Sequence, residues 1–363
     1  MILGTAGRYL SLLLLKRVLT IVIGLSLMLV LFDVLNNSDQ IEKRYGEGLP
    51  IIGRYMLYRW PEMAGLVAPF SILVATLLSL LGLTAQNETL ALKAAGISFY
   101  RMLGMMMPTV MLMAAMHYSV VDLATPIAKR QLARMELERP TDDESAGRKG
   151  KNPGKWVREG SVVIYVLEVQ RDGRFLTEVA LYKRDEQGNL IERTTARSAR
   201  YRDRQWILTD VTIQTLDVQG PRIAQLPSMP WSTSLRPTDF FNLAATSAQF
   251  SARDLRNLAE SNNIGTRPAY TYDTWFQRRT TIPVIAFMML LLAAPVAQAR
   301  VRGANLVMRL AAGIGLGFLY FVVDGMALAM GESGAVTPVI SAWAPIMVFS
   351  SVAGTVLLWI EGL

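Results

Sequence analysis

The chain has 363 residues, of which 52% are hydrophobic and 18% charged, with a formal net charge of +8 and no cysteine. Such apolar content beside that many charges implies a chain that is part lipid-embedded and part aqueous, not one soluble domain. Lacking thiols and carrying a single histidine, His117, it excludes disulfides, a cysteine nucleophile and multi-histidine or thiolate metal sites; its basic excess fits membrane topology and anionic lipid, with no nucleic-acid partner expected.

In chain order, Arg8, Lys16 and Arg17 precede an apolar run from Val18 to Leu35, long enough to cross roughly 30 Å of hydrocarbon as a helix. A cleaved signal peptide fits poorly, because Asn36, Asn37 and Ser38 follow where a small-x-small cleavage site would stand. Further runs cover Met63 to Ala85, Phe99 to Val121, Thr281 to Ala297, Leu306 to Met330 and Val336 to Ile360. Together they predict six spans in two trios. Pro69, Pro108, Pro283, Pro295 and Pro345 are compatible with helix there, since bundle neighbours can satisfy the carbonyls they release.

Orientation follows from the short loops. Arg8, Lys16 and Arg17, then Lys93 and Arg101, then Arg300 and Arg302 fall on one side, which is expected to be cytoplasmic along with both termini. Lys43, Arg44, Arg54 and Arg59 lie on the other, so the bias is modest.

Between the trios, from Pro126 to Tyr272, the chain turns polar. Val162 to Val169, Phe175 to Tyr182 and Trp206 to Leu216 alternate as strands, with hairpin turns at Arg171 to Arg174 and Asp185 to Asn189. An all-β sandwich or barrel-like domain is expected, entered through a charged, Gly- and Pro-containing loop from Glu138 to Gly154. Helical spacing over about 251–262, with Ser251 as N-cap and Leu255 and Leu258 on one face, predicts a helix returning the chain to the membrane. The third span ends on the outer side if the N-terminus is inside, so the β domain is expected in the periplasm. The resulting divisions are 1–125, 126–274 and 275–363.

Between the second and third spans stands Leu81-Gly82-Leu83-Thr84-Ala85-Gln86-Asn87-Glu88-Thr89-Leu90-Ala91-Leu92-Lys93-Ala94-Ala95-Gly96-Ile97-Ser98. It resembles the LG-L-A-x-x-SEL-x-x-x-x-A-G-x-S pattern around the coupling helix of the YjgP/YjgQ-type lipopolysaccharide-export permeases, the LptF/LptG family. Trp206 to Val211, Ser251 to Gly265, Gly313 to Tyr320, Gly331 to Gly334 and Trp343-Ala344-Pro345 extend the resemblance nearly end to end, and Tyr45-Gly46 with Trp60-Pro61 lean toward the G-type half.

The resemblance implies a Gram-negative inner-membrane permease subunit of an ABC exporter. Its fold would be α-helical transmembrane, six helices in a 3+3 arrangement, with an inserted periplasmic β-jellyroll. Its partners would be lipopolysaccharide, a cytoplasmic LptB-like ATPase dimer, an LptF-like second half and a bitopic LptC-like jellyroll protein. The segment 86–95 would dock in the ATPase, with Glu88 as polar contact, Leu90 and Leu92 as apolar contacts and Gly96 ending the helix; a plain surface-lying amphipathic helix is the alternative.

Some family members carry lysines near the outer end of the first span that meet lipid A phosphates; here Asp33 to Asn37 holds no cation. Lys43, Arg44, Lys129, Arg130 and Arg134 are therefore phosphate candidates by chemistry and location, against a plain anchoring role. Methionines such as Met105, Met106, Met107, Met111 and Met113 offer adaptable apolar surface for acyl chains or ordinary packing. His117, Asp324 and Phe318 are cavity candidates, the two ionisable groups because charge in a span is costly; Asp33 and Asp122 fall near the outer interface and need no special role.

No G-x-x-x-x-G-K-[ST] motif occurs, Gly147 to Lys151 being only a basic loop, so ATP hydrolysis is assigned to a partner. No cofactor is expected. A membrane-anchored periplasmic scaffold and an envelope lipid-modifying enzyme using Glu168 or Asp210 are the competing readings, the latter weakened by the lack of a paired-carboxylate or nucleophile-base constellation.

Overall fold

A computed structural model describes residues 4–46, 48–137, 154–170, 173–185, 187, 189–217, 220–237, 240, 247–260, 264–265, 267–298 and 306–361. The chain divides into two units, Met1–Arg139 with Asp273–Leu363, and Pro140–Tyr272. The expected entry loop over 138–153 lies outside the described residues, as do Arg171 and Asp172 of one expected turn and Arg300 and Arg302.

The first unit contains six helices long and apolar enough to cross a membrane, at the six places the hydropathy indicates. Each runs past its apolar stretch. Helix α1 covers Thr5–Tyr45, a length of about 60 Å and so twice the hydrocarbon thickness. Its N-terminal extension is held because Leu10, Leu14 and Val18 recur on one buried stripe. At the other end Ile41 packs with Tyr55 and Leu132. The helix kinks at Asn37, whose φ is −119°, where its side-chain amide donates to the Asp33 carbonyl at 3.0 Å.

Helix α2 spans Leu49–Ala85 with Pro61 and Pro69 inside it, as the bundle context permits. A short helix α3, Glu88–Ala94, follows. The third span is composite: α4 over Phe99–Ser119, a π turn over Val120–Ala124 and α5 over Thr125–Leu137. The helix thus continues through Pro126, where composition placed a domain boundary: the π turn just before it makes room for the proline, whose missing N–H forfeits one ladder bond.

The second trio comprises α7 (Ala269–Gln298), α8 (Leu306–Glu332) and α9 (Pro338–Glu361), with α6 (Ala252–Glu260) standing before it. Where α8 crosses α2, a Cβ on Gly313 or Gly317 would lie 2.4 Å from Leu77 or 2.2 Å from Leu73. Glycines four residues apart are what let these two backbones approach.

The second unit is an antiparallel sheet in the order β6-β5-β4-β3-β2-β1-β7. The strands are β1 (Lys155–Glu159), β2 (Val162–Gln170), β3 (Phe175–Arg184), β4 (Leu190–Arg202), β5 (Gln205–Asp217), β6 (Gly220–Trp231) and β7 (Ile264–Gly265). The inserted all-β domain is present. Among the described residues its first six strands neighbour one another in sequence as successive hairpins, and β7 returns to pair with β1.

The sheet covers a core of Ile164, Val166, Leu176, Val179 and Leu208 centred on Trp206, whose indole N–H donates to the Leu235 carbonyl at 2.9 Å. The expected turn at Asp185 forms, with the Asp185 carboxylate accepting from the Gln187 and Asn189 amides at 3.0 and 2.8 Å. Ser251 caps α6 as expected: its Oγ accepts from the Asp254 amide at 3.3 Å while Asp254 reaches back to the Ser251 amide at 3.1 Å.

Candidate functional site

At one end of the membrane unit, α3 is set by its two termini. Asn87 takes up the left-handed region at φ 57°, turning the chain sharply out of α2. At the far end Gly96, at φ 80°, donates to the Lys93 carbonyl at 3.0 Å and Ile97 to the Leu92 carbonyl at 3.0 Å. This paired 5→2 and 6→1 bonding is a Schellman ending, which needs glycine at that position and stops the helix after two turns.

Of the predicted docking residues, Glu88 is half-buried and accepts from the Tyr9 hydroxyl of α1 at 3.3 Å, Leu90 is 67% exposed, and Leu92 packs against the unit's own core. The two leucines therefore do different jobs. Leu92 anchors the short helix to the bundle, and Leu90 is presented outward on a helix with no buried residue. Carboxylate Glu88 sits in the first turn and Lys93 in the last, each at the end whose partial charge it complements.

Toward the other end of the first trio a chain of charges joins three helices. Asp33 of α1 accepts from the Tyr55 hydroxyl at 2.7 Å and from the Arg59 Nε at 3.0 Å, both on α2. Arg59 in turn pairs with Glu62, and Glu62 accepts from Lys129 of α5 at 2.6 Å. Two anions alternate with two cations, so the cluster is neutral overall and each charge has an opposite neighbour, which is what makes its partial burial tolerable.

Lys129, expected as a phosphate contact, is thus spoken for within its own chain. Arg130 and Arg134 have exposed side chains on α5, Arg130 with interactions of its own. Lys43 and Arg44 stand in the last turn of α1, but their side chains lie outside the described residues. Asp33, expected to need no special role, is the acceptor on which α1 and α2 converge. The signal that could have exposed this network is the placement of Asp33, Arg59 and Glu62 at matching depths of two adjacent antiparallel spans.

Two of the three cavity candidates, Asp324 and Phe318, do not share a face. Asp324 is 2% exposed and both of its carboxylate oxygens are gripped by Arg278 of α7, a fork-to-fork pair. Beside it Tyr320 is buried among Phe321 and Phe349. Phe318 is 67% exposed, on a different side of α8 from Asp324, as a six-residue separation of about 240° requires. Buried His117 has its Nε2 3.0 Å from the Gly65 carbonyl oxygen; since that oxygen only accepts, Nε2 carries the proton.

The π turn opens a second cross-link between the trios. Widening the helix at Val120–Ala124 leaves the Val121 carbonyl pointing away from its own ladder, and Arg279 of α7 donates to it at 2.8 Å. Arg278 and Arg279, adjacent in sequence, thereby tie α7 to α8 and to the third span. Neither was singled out in the sequence, because both lie at the polar start of what looks like an apolar run.

Among the described residues no group of three or more His, Asp or Glu is arranged to hold a metal ion.

Comparison with known proteins extends over nearly the whole chain. Residues 8–359 match the family described as "Lipopolysaccharide export system permease LptF/LptG". The lipopolysaccharide export system permease protein LptG of Haemophilus influenzae is 24% identical over 258 residues, covering 70% of this chain and 71% of that protein. The LptG protein of Escherichia coli K12 is 22% identical over 350 residues, 94% of each chain.

Proposed function

Because the chain belongs to the LptF/LptG family of lipopolysaccharide export permeases, we propose that it is the G-type half of an ABC exporter that lifts lipopolysaccharide out of the outer leaflet of the inner membrane. It is a multi-pass permease subunit with six spanning helices. In the proposed assembly it pairs with an F-type half, receives work from a cytoplasmic LptB-like ATPase dimer and hands lipid, with an LptC-like bitopic protein, to a periplasmic bridge that its own β unit begins. Lipopolysaccharide is multi-acyl and anionic; the exposed apolar faces of α1, α8 and α9, including Leu31, Phe318 and Met347, suit the acyl chains. Arg134 and Arg130 on α5 have exposed side chains at the end where the chain enters the β unit, and are assigned to lipid phosphates.

The observation that carries this reading is α3. A two-turn helix closed by a Schellman glycine, with Leu90 outward and Glu88 tethered to α1, is a rigid knob at the end of a 37-residue helix. Movement of a nucleotide hydrolase gripping that knob would be delivered along α2 to Arg59 and Glu62, where α1 and α5 are tied in. Work done on one membrane face is thereby transmitted to helices that line the lipid path at the other.

The test is ATP-driven release of lipopolysaccharide from the reconstituted complex. Glu88→Lys is expected to reduce release by about tenfold or more, while the purified subunit keeps its thermal transition, since reversing one charge at a docking contact costs more than 1.4 kcal/mol. Full release by this variant removes the docking assignment. Labelling introduced cysteines in β3 or β5 from the cytosolic side only would remove the proposed topology.

A further inference from the structure

At the α3 end of the membrane unit, α1, α2 and α8 leave a groove of about 500 Å³ between them. Its walls are almost wholly apolar: Ile21, Leu78, Leu81, Leu306, Val307 and Leu310. Two cations, Lys16 and Arg17, stand in the lining, one turn before Thr20. The Arg17 guanidinium turns its Nη1/Nη2 edge to α2 at Gly82, where a Cβ would come within 3.3 Å of both terminal nitrogens.

What is unusual is that this guanidinium lacks an acceptor. Arg17 Nη1 is buried with no hydrogen-bond partner, and so is the Nε of Arg309, the residue before Leu310 on α8. Elsewhere in this unit charges are matched: Arg59 with Asp33 and Glu62, Lys129 with Glu62, Arg278 with Asp324. A buried donor without an acceptor costs about 1–3 kcal/mol, more when charged, so this end of the unit is incomplete as it stands.

We propose that the groove holds a resident anionic phospholipid, its phosphate bonded to Arg17 and Lys16 and an acyl chain lying along Leu78, Leu81, Val307 and Leu310. The chemistry fits at each point. A phosphate in the groove brings an anion to Arg17 and Lys16 through charge-assisted bonds, of which a guanidinium can donate several. A basic pocket between spanning helices above an apolar cleft is the form that recognises lipid headgroups. A helix of a second permease half would fill the apolar part and leave the two cations unmatched, which argues for lipid as the occupant. Assignment to the cytoplasmic leaflet rests on the topology proposed above; the site itself does not.

The complex, purified in mild detergent, would be incubated with phosphatidylglycerol, phosphatidylcholine or lipopolysaccharide and the retained lipid measured by native mass spectrometry. Phosphatidylglycerol is expected to be retained over phosphatidylcholine. Arg17→Gln should weaken retention about fivefold and Lys16→Gln with Arg17→Gln about 30-fold, as expected for loss of one and two interfacial cations. Arg17→Lys should restore most of it, and Val307→Trp, which blocks the cleft without touching charge, should also displace the lipid.

Equal retention of the two phospholipids, or no response to the double substitution, overturns the proposal. So does preferential capture of lipopolysaccharide through the same residues, which would make the occupant cargo. The chain has no cysteine, so Thr20→Cys gives a unique thiol; its quantitative cross-linking to the second half would show protein in the groove and end the proposal too. ATP-driven lipopolysaccharide release in the same preparations scores the export reading separately, and sidedness of the introduced thiol scores the topology.

Discussion

The two trios of the membrane unit solve the same problem differently. In the first, charges are strung through Tyr55, Asp33, Arg59, Glu62 and Lys129 with side chains 15–27% exposed where an ion pair is formed, so water still reaches each member. In the second, a single carboxylate, Asp324, is sealed at 2% exposure and answered by one arginine. A partly hydrated chain can lose a member and let solvent take its place. A sealed carboxylate cannot, because without Arg278 it is left charged where no water reaches it. The second trio is thereby the more rigidly specified half, and the first is the one built to be rearranged.

The comparison is sharpest at Asp324. Arg278→Met should lower the unfolding free energy in detergent by on the order of 3 kcal/mol, since the buried Asp324 carboxylate is stranded, while adding Asp324→Leu should recover most of the loss. A double variant as unstable as the single one would show that the ion pair positions something beyond itself. The seam between the trios comes next. Gly317→Leu forces a side chain into Leu73, whose Cδ2 would stand 2.2 Å from the new Cβ, and should cost about 2 kcal/mol and separate α2 from α8; the readout is the melting transition together with cross-linking between the two helices.

In the first trio, Glu62→Ala removes the acceptor shared by Arg59 and Lys129, yet both cations are partly hydrated, so a loss of only about 1 kcal/mol is expected by thermal melting. A penalty equal to that at Asp324 would erase the contrast between the halves. The smallest effect belongs to Tyr9→Phe, which deletes a 3.3 Å bond to Glu88 at an exposed position and should shift stability by less than about 0.5 kcal/mol. If α3 is the transmission element, this variant still lowers the coupling ratio of lipid released per ATP hydrolysed, and that ratio is the measurement to make.

How far the residues themselves spoke depended on whether their signal was local. Gly96 announced the end of α3 because a left-handed position after an apolar turn has one preferred occupant, and Ser251 announced the start of α6 as a capping hydroxyl ahead of Leu255 and Leu258 on one face. Strand β4 announced nothing: Leu190–Arg202 is charged and small, and its buried face is made of Thr194, Ala196 and Ala199. It forms because β3 and β5 are pairing templates on either side. Strand β6, with Pro227 and Pro230, reads as a non-strand and is admitted because it lies at the sheet's edge, where a missing N–H goes unneeded. The hairpin between β4 and β5 turns on Asp203 and Arg204 at φ 50° and 64°, a conformation usually flagged by Asn-Gly.

The candidate site divides along the same line. The residues proposed for coupling lie on consecutive turns of one short helix, so their placement was legible. The charge network was not, since Asp33, Arg59 and Lys129 are far apart in sequence and meet only when α1, α2 and α5 pack. Nor was the pairing of Asp324 with Arg278, which depends on how α7 and α8 are rotated.

By itself the sequence determined six apolar runs, an inserted all-β unit and a capped helical knob, because hydrophobic length, alternation and capping act over a few neighbouring residues. Only the tertiary structure decided which charges neutralise one another, which faces α2 and α8 press together at Gly313 and Gly317, and that Arg17 is left without an acceptor. Those outcomes are set by the rotation and depth of whole helices, and a pairwise interaction energy has no meaning until packing has brought its two partners within reach.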